Sequence, residues 1–458
     1  RKELLVIQRE AVGNLATDAA TMGAGSKSLV FCQSRALTEV LADRMRARGI
    51  DVYVHHGSVS AEERAEAEKR FQHGSNNAIV CTSTLELGID VGDLDRVIQI
   101  DSPSSVSSFL QRMGRTGRRA GALRNCLFLT TNDDAFMLAL GVTKKWSEAW
   151  VEAAVPPAEP WPILAQQALV LVLERGEVPT LEVVQLLHGS FPELATDDIT
   201  ALVEHLVDKQ FLDRSEGVVR VGPETERVYA RGHYRDLLAS FSGSMLLTGR
   251  HGSSEVGYID PTVLTGEQDN RLLLLAGRSW RVTEVEWSKR IVWLEPAREG
   301  GKARWMGGAR SLGRDVCQAI RTVLATGAPP IVTLSQRARA ALSSLADELP
   351  MSQGTHFVMA RSDAAPVRTW TFAGTRANRT WAHQASVGGQ KVRFDAMSVH
   401  APASLLADAV SGQLTLTDAE IATFAESVKF ADCVPRGLLT RTIVARNFES
   451  PIRWEPAA

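Results

Sequence analysis

The chain has 458 residues, 44% hydrophobic and 23% charged, with a formal net charge of −2. That length exceeds one compact core and predicts about three domains of roughly 150 residues each. No apolar run approaches the ~20 residues of a membrane span, and a net charge near zero excludes coating of nucleic acid by a uniformly basic surface, so any such contact has to be local.

Residue 1 is Arg and residues 1–7 already carry a strand pattern, as expected of a chain that begins inside a longer protein. Gly23-Ala24-Gly25-Ser26-Lys27-Ser28 imitates the end of a phosphate-binding loop. It is a decoy, because Ser26 rather than Gly precedes Lys27 and the stretch leads into a strand instead of leaving one. Strands predicted at 28–32, 51–55, 77–82, 96–101 and 125–131 alternate with helical patterns, which calls for a parallel sheet with helices on both faces. The first of these ends in Phe31-Cys32-Gln33-Ser34-Arg35. The helix after it places Leu37, Val40, Leu41 and Met45 on one face and stops at Gly49. The next strand ends in His55-His56-Gly57, whose histidines are read as satisfied loop residues rather than catalytic ones. Ser60 and Glu63 then predict a capping box opening a helix that runs to Phe71.

The strand at 77–82 leads into the polar turn Cys81-Thr82-Ser83-Thr84-Leu85-Glu86-Leu87-Gly88-Ile89-Asp90. Hydroxyls and backbone N–H groups at a strand's carboxyl end suit a nucleic-acid phosphate, and Asp90 suits a nucleotide ribose. Before the last strand stands Gln111-Arg112-Met113-Gly114-Arg115-Thr116-Gly117-Arg118. Two arginines three apart on one face of a helical turn can reach the γ-phosphate of an ATP held by a facing domain and neutralise charge developing in the transition state. A solvated basic helix accounts for the arginines but not for both glycines. All four motifs fall at the carboxyl ends of strands, where open α/β sheets bind ligands.

A Pro-rich stretch at 155–162 predicts a linker. Helical patterns at 163–175, 181–188 and 197–209, then strands at 211–213 and 218–221 around Ser215-Glu216-Gly217, predict a winged-helix module, with a plain bundle carrying a stray hairpin as the alternative. From residue 222 the pattern turns β-rich. Residues 271–295 give three strands separated by Ala276-Gly277-Arg278 and Ser288-Lys289-Arg290, and helices are expected at 335–347 and 404–410. Asp347-Glu348 ends a helical segment and is not a metal-holding strand end. The expected division is 1–154, an α/β lobe; 155–222, a winged helix; and 223–458, a mixed α/β, β-rich unit. The five cysteines (Cys32, Cys81, Cys126, Cys317, Cys433) never form CxxC, which predicts buried reduced thiols, no metal site and a cytoplasmic location.

The motif order resembles the second RecA-like lobe of superfamily 2 helicases, with motifs IV, V and VI at 31–35, 82–90 and 111–118. Further on, Leu272-Leu273-Leu274-Leu275-Ala276-Gly277-Arg278-Ser279-Trp280-Arg281-Val282, Arg304-Trp305-Met306-Gly307 and Trp370-Thr371-Phe372-Ala373-Gly374-Thr375-Arg376-Ala377-Asn378 resemble the core of the Lhr (large helicase-related) proteins. The resemblance implies an ATP-dependent helicase or translocase, moving 3′-to-5′ on single-stranded DNA, unwinding DNA or RNA:DNA duplexes and linked to DNA repair. It implies Arg115 and Arg118 as arginine fingers, with Gly88, Asp90 and Gln111 as further nucleotide contacts. Ser34, Arg35, Gly57, Thr82 and Thr84 become contacts to the strand. ATP with Mg2+ would be held mainly by a first RecA-like lobe whose phosphate loop is not in this sequence, so the chain alone is not expected to hydrolyse ATP. A superfamily 2 RNA helicase and a non-catalytic DNA-binding or regulatory module are the competing readings.

Of the ten tryptophans, Trp146, Trp150 and Trp161 flank the linker and are expected to pack a domain interface, and Trp293 to be buried in a strand. Trp280 and Trp305 stand beside Arg and Gly residues, the setting for base stacking worth ~1–3 kcal/mol each, against a packing role for either.

Overall fold

The structure, a computed structural model, describes residues 2–8, 12–74, 76–86, 94–117, 124–230, 233–239, 246–259, 264, 272–287, 289–297, 311–349, 358–359, 368–386, 392–401 and 414–449. Its first part runs β1 (Lys2–Gln8), α1 (Val12–Gly23), β2 (Lys27–Phe31), α2 (Arg35–Arg46), β3 (Asp51–His55), α3 (Ala61–His73), β4 (Asn77–Cys81), β5 (Arg96–Ile100), α4 (Val106–Met113), β6 (Arg124–Thr130) and α5 (Asp133–Ser147). These strands lie parallel in the order β1-β6-β5-β2-β4-β3. Alternation along β2 shows why both faces are covered: Leu29 and Phe31 enter one core with Phe109, Phe128 and Trp146, while Val30 and Cys32 enter the other with Leu41, Met45 and Leu15. A parallel sheet buried on both sides needs such uninterrupted apolar strands.

The imitation phosphate loop is the α1–β2 connection. Lys27 opens β2, and its ammonium donates to the Gln72 carbonyl at 3.0 Å and lies 5.0 Å from the Phe71 ring centre. The capping box at Ser60 is half formed. Ser60 Oγ accepts from Glu63 N at 3.2 Å, but the Ser60 N–H that Glu63 would have taken donates to the Val256 carbonyl of a second sheet.

Next come α6 (Trp161–Arg175), β7 (Glu177–Pro179), α7 (Thr180–Ser190), α8 (Thr196–Asp208), β8 (Leu212–Ser215), β9 (Val218–Val221) and α9 (Pro223–Tyr229). The three short strands form an antiparallel sheet in the order β7-β9-β8. Residues 155–160 ahead of α6 have no regular structure, yet they are tied down: the Glu159 carbonyl accepts from Thr442 Oγ1 at 2.8 Å and its carboxylate pairs with Arg441 at 2.9 Å.

The tail departs most from expectation. β10 (Leu247–His251), β11 (Ser254–Ile259), β12 (Leu272–Leu275), β13 (Arg278–Glu286) and β14 (Ile291–Pro296) form the expected sheet, in the order β11-β10-β14-β13-β12. The elements after it are α10 (Arg314–Thr326), β15 (Thr333–Leu334), α11 (Gln336–Glu348), β16 (Val358–Met359), β17 (Thr369–Trp370), α12 (Thr375–Gln384), β18 (Ser398–Val399), α13 (Asp418–Ala425) and α14 (Arg436–Asn447). They do not enlarge the β-rich unit. β15 joins the free side of β1 in parallel, and Val316, Ile320, Val323 and Leu345 of α10 and α11 share a core with Phe136 and Leu140 of α5. Ile421, Leu438 and Ile443 of α13 and α14 instead pack with Trp161, Leu169 and Leu202 of α6 and α8. The segment from residue 223 onward is thus shared among separate cores. The expected helix at 404–410 lies outside the described residues. All five cysteines are free and buried, and burial pushes every one of their thiols up from its ordinary value. Among the described residues no helix is long and apolar enough to cross a membrane.

Candidate functional site

Strand register assembles the site. Phe31 of β2 and His55 of β3 both pair with Cys81 of β4, so the segments that follow these three strands leave the sheet level with one another. Ser34 Oγ caps α2 by accepting from Leu37 N at 3.1 Å, and Ser105 Oγ caps α4 by accepting from Ser108 N at 3.2 Å. The Glu152 carboxylate accepts from Val106 N and Ser107 N at 2.7 and 2.9 Å, an anion on the positive end of α4. Helix α4 is thereby fixed at its start and delivers its last turn to the turn after β4.

There Arg112, 1% exposed, holds the two motifs together. Its Nε donates to Glu86 Oε1 at 2.7 Å and its Nη1 to Gln99 Oε1 at 2.8 Å, with the guanidinium carbon 5.1 Å from the Phe31 ring centre. Ser108 Oγ donates to the same Glu86 oxygen at 2.8 Å. Gln99 passes the connection on, donating to the Asp101 carbonyl at 2.7 Å. Asp101 accepts from Thr131 N at 2.8 Å, and burial raises its carboxyl pKa against that bond. Glu86, Gln99, Arg112 and Glu152 were not singled out from sequence. The visible signal was polar Gln99 inside the apolar run Val97-Ile98-Gln99-Ile100.

Of the two expected arginine fingers the structure describes Arg115, which is not on a helical face. α4 ends at Met113 with Gly114 as its C-cap, and Gly117 takes φ +68, in the left-handed region. Thr116 secures the turn after α4, its Oγ1 accepting from Asn125 N and donating to the Asn125 carbonyl, both at 3.1 Å. Arg115 therefore stands beyond the helix, 8% exposed, with its guanidinium donating to the Glu86 carbonyl. Gln111 is half-buried on α4. Arg118, Gly88, Asp90 and Trp305 lie outside the described residues.

Of the expected strand contacts, Ser34 and Gly57 are exposed, and Arg35 and Thr82 are half-buried along the same edge. Arg35 Nη1 donates to Ser58 Oγ at 2.8 Å. Thr84 is half-buried too; its hydroxyl donates to the His55 carbonyl at 3.1 Å and lies 2.8 Å from His55 Nδ1, and the exposed hydroxyl of the turn is Ser83. His55 Nε2 meets Glu68 Oε1 at 2.9 Å and His56 Nε2 meets Glu39 Oε1 at 2.9 Å, both inside the fold, as expected of satisfied histidines.

Burial lowers the His55 pKa, against the pull of Glu68. The unfolded chain therefore binds a proton there, near the ordinary value of about 6.5, that the folded chain resists. This contribution to stability is complete above that pH and is lost as pH falls from there through the lower value of the folded chain. The urea midpoint is expected to drop between pH 7.5 and 5.5, and a His55→Gln variant to show a flatter profile. Equal slopes for the two proteins would refute the assignment.

The tryptophans need three corrections. Trp280 is 4% exposed and its indole N–H donates to the Leu275 carbonyl at 2.9 Å, so it is core and no stacking platform. Trp293 is half-buried rather than buried, donating to Glu286 at 2.6 Å. Trp146 and Trp161 sit in two different cores rather than sharing an interface. Among the described residues the exposed tryptophan is Trp287, 55% exposed in the turn between β13 and β14.

Residues 9–120 match the family model of the helicase conserved C-terminal domain. The chain is 28% identical over 293 residues to the Lhr helicase/uracil glycosylase of Escherichia coli K12, covering 57% of this chain and 18% of that protein. It is 30% identical over 282 residues to the Lhr helicase/probable uracil glycosylase of Mycolicibacterium smegmatis, covering 55% and 18% respectively. It thus spans under a fifth of either relative. Its fold is similar to that of Mycobacterium smegmatis helicase Lhr, solved bound to ssDNA and AMP-PNP, with TM-score 0.65 and 19% identity over 98% of this chain and 67% of that one.

Proposed function

We propose that this chain, a relative of the Lhr helicases, supplies the second motor lobe and the strand-holding surfaces of an ATP-dependent helicase that moves 3′-to-5′ on single-stranded DNA and unwinds DNA or RNA:DNA duplexes. The observation that carries the reading is the junction of Arg112, Glu86 and Arg115, which ties the turn after α4 to the turn after β4 at the carboxyl edge of the parallel sheet. Ligands of open α/β sheets bind at that edge. A displacement at one turn is therefore felt at the other, which is what coupling ATP to a strand requires.

In this reading a facing lobe holds ATP and Mg2+, and Arg115 with Arg118 approaches the γ-phosphate when the lobes close. Gly88, Asp90 and Gln111 contact the nucleotide. Ser34, Arg35, Gly57 and Thr82 line the strand's path. The α6–α8 helices with the β7-β9-β8 sheet act as a winged helix, and they and Trp305 clamp the strand that emerges.

The test is a salt titration of strand binding by the full-length protein, with DNA, RNA and hybrid substrates, with and without ATP. Expected are strand-stimulated hydrolysis, tighter binding to DNA than to RNA, and a log–log salt slope reporting a few phosphate contacts. Strand binding without any stimulated hydrolysis would favour a non-catalytic binding module, and a preference for RNA would favour an RNA helicase.

A further inference from the structure

The five-stranded sheet meets the parallel lobe through a contact that none of the motifs accounts for. Glu39 of α2 and His56, just after β3, are both fully buried. Glu39 Oε1 lies 2.9 Å from His56 Nε2, and its Oε2 accepts from Gly277 N at 2.5 Å in the turn between β12 and β13. Arg46 donates to the Gly277 carbonyl and, at 2.8 Å, to that of Val52. A few residues on, Tyr258 N donates to the Ser58 carbonyl at 2.6 Å, Ser60 N donates to the Val256 carbonyl at 3.2 Å, and Val59 pairs antiparallel with Gly257. The loop after β3 thus lies along β11 as a short extra strand.

Distance explains both glycines. A Cβ on Gly257 would stand 2.2 Å from the Ser58 carbonyl oxygen. One on Gly277 would stand 2.8 Å from Arg46 Nη2 and 2.9 Å from Val54 Cγ2, in a left-handed turn at φ +71.

Ser58 is where this docking reaches the candidate strand path. Its carbonyl is held by β11, its N–H donates to His56 Nδ1 at 3.2 Å, and its hydroxyl accepts from Arg35 Nη1 at 2.8 Å. Ser58 is fully buried, so no water competes for these bonds. We propose that the docked sheet positions Arg35: through Glu39, His56 and Ser58 it fixes the guanidinium before a strand arrives, so the lobe's grip on a nucleic-acid phosphate depends on the sheet being docked. A group ordered in advance loses less freedom on binding. The inference rests on the reading of Arg35 as a strand contact. Ser58, His56 and Glu39 are positioning residues.

Ser58→Ala in the full-length protein deletes only the accepting hydroxyl. The strand concentration for half-maximal stimulation of ATP hydrolysis is expected to rise about 10-fold, the scale of one hydrogen bond to a charged group, while the rate at saturating strand holds. Ser58→Thr is expected to restore wild-type affinity. In a double-mutant cycle, Ser58→Ala is expected to add nothing once Arg35 is Ala. Gly257→Ala, which displaces β11 without touching Arg35, is expected to reproduce the loss and covers the case in which Ser58→Ala folds poorly. Wild-type strand affinity in Ser58→Ala and Gly257→Ala, or losses that add to that of Arg35→Ala, would overturn the proposal. If Arg35→Ala itself left strand affinity unchanged, the strand-contact reading would fall first and take the inference with it.

Discussion

Arg115→Ala in the full-length protein is expected to lower strand-stimulated ATP hydrolysis by about 10³-fold or more while strand affinity stays nearly unchanged. A guanidinium that meets the γ-phosphate late in lobe closure stabilises charge present only in the transition state, so its loss appears in the rate and not in ground-state binding. Arg115→Lys should recover little, because a point charge on a flexible stem lacks the planar fork that spans two phosphate oxygens. Arg115 also donates to the Glu86 carbonyl, so a purely structural role predicts a different outcome. Loss of that bond would loosen both turns, and melting temperature and strand affinity would fall together. Retained hydrolysis in Arg115→Ala, or a rate loss matched by such a drop, would exclude the arginine-finger role.

The second large effect is expected at Arg112. Its side chain is 1% exposed, and the Glu86 carboxylate it meets is 13% exposed, so the pair is well shielded from water. Arg112→Ala strands Glu86 Oε1 with Ser108 as its remaining donor, leaves Gln99 Oε1 without its 2.8 Å partner, and opens space beside Phe31. Removing one member of a buried pair costs about 3–5 kcal/mol, mostly as the penalty of the charge left behind. Urea unfolding would measure it, and replacing Arg112 by Met together with Glu86 by Gln is expected to cost less than Arg112→Ala alone. A variant within about 1 kcal/mol of wild type would show that the pair is not what fixes α4 to the β4 turn.

The parallel lobe was legible because its strands are covered on both faces: 51–55 was read to the residue, and the others to within one position at either end. The three strands at 271–295 were legible for a different reason, the two short turns that punctuate them. Trp280 was misread because Arg281 is its neighbour in sequence. A strand sends successive side chains to opposite faces, so the guanidinium points outward and the indole inward. The addresses of α10, α11, α13 and α14 were not legible at all. An amphipathic pattern says that a helix has a buried face but not whose core receives it, and these four are divided between two cores. The Arg112–Glu86–Gln99 junction was hidden likewise, since its members are brought together by the register of β2, β4 and β5 and by the placement of α4.

β15, α10 and α11 come from residues 314–348, yet they complete the sheet edge and core opened by β1 and α5. During synthesis the lobe must wait, half-covered, while some 170 intervening residues emerge from the ribosome. While those residues are made, the nascent chain carries an apolar face without its cover, a surface of the kind chaperones shield. A domain cut at residue 154 would make that exposure permanent.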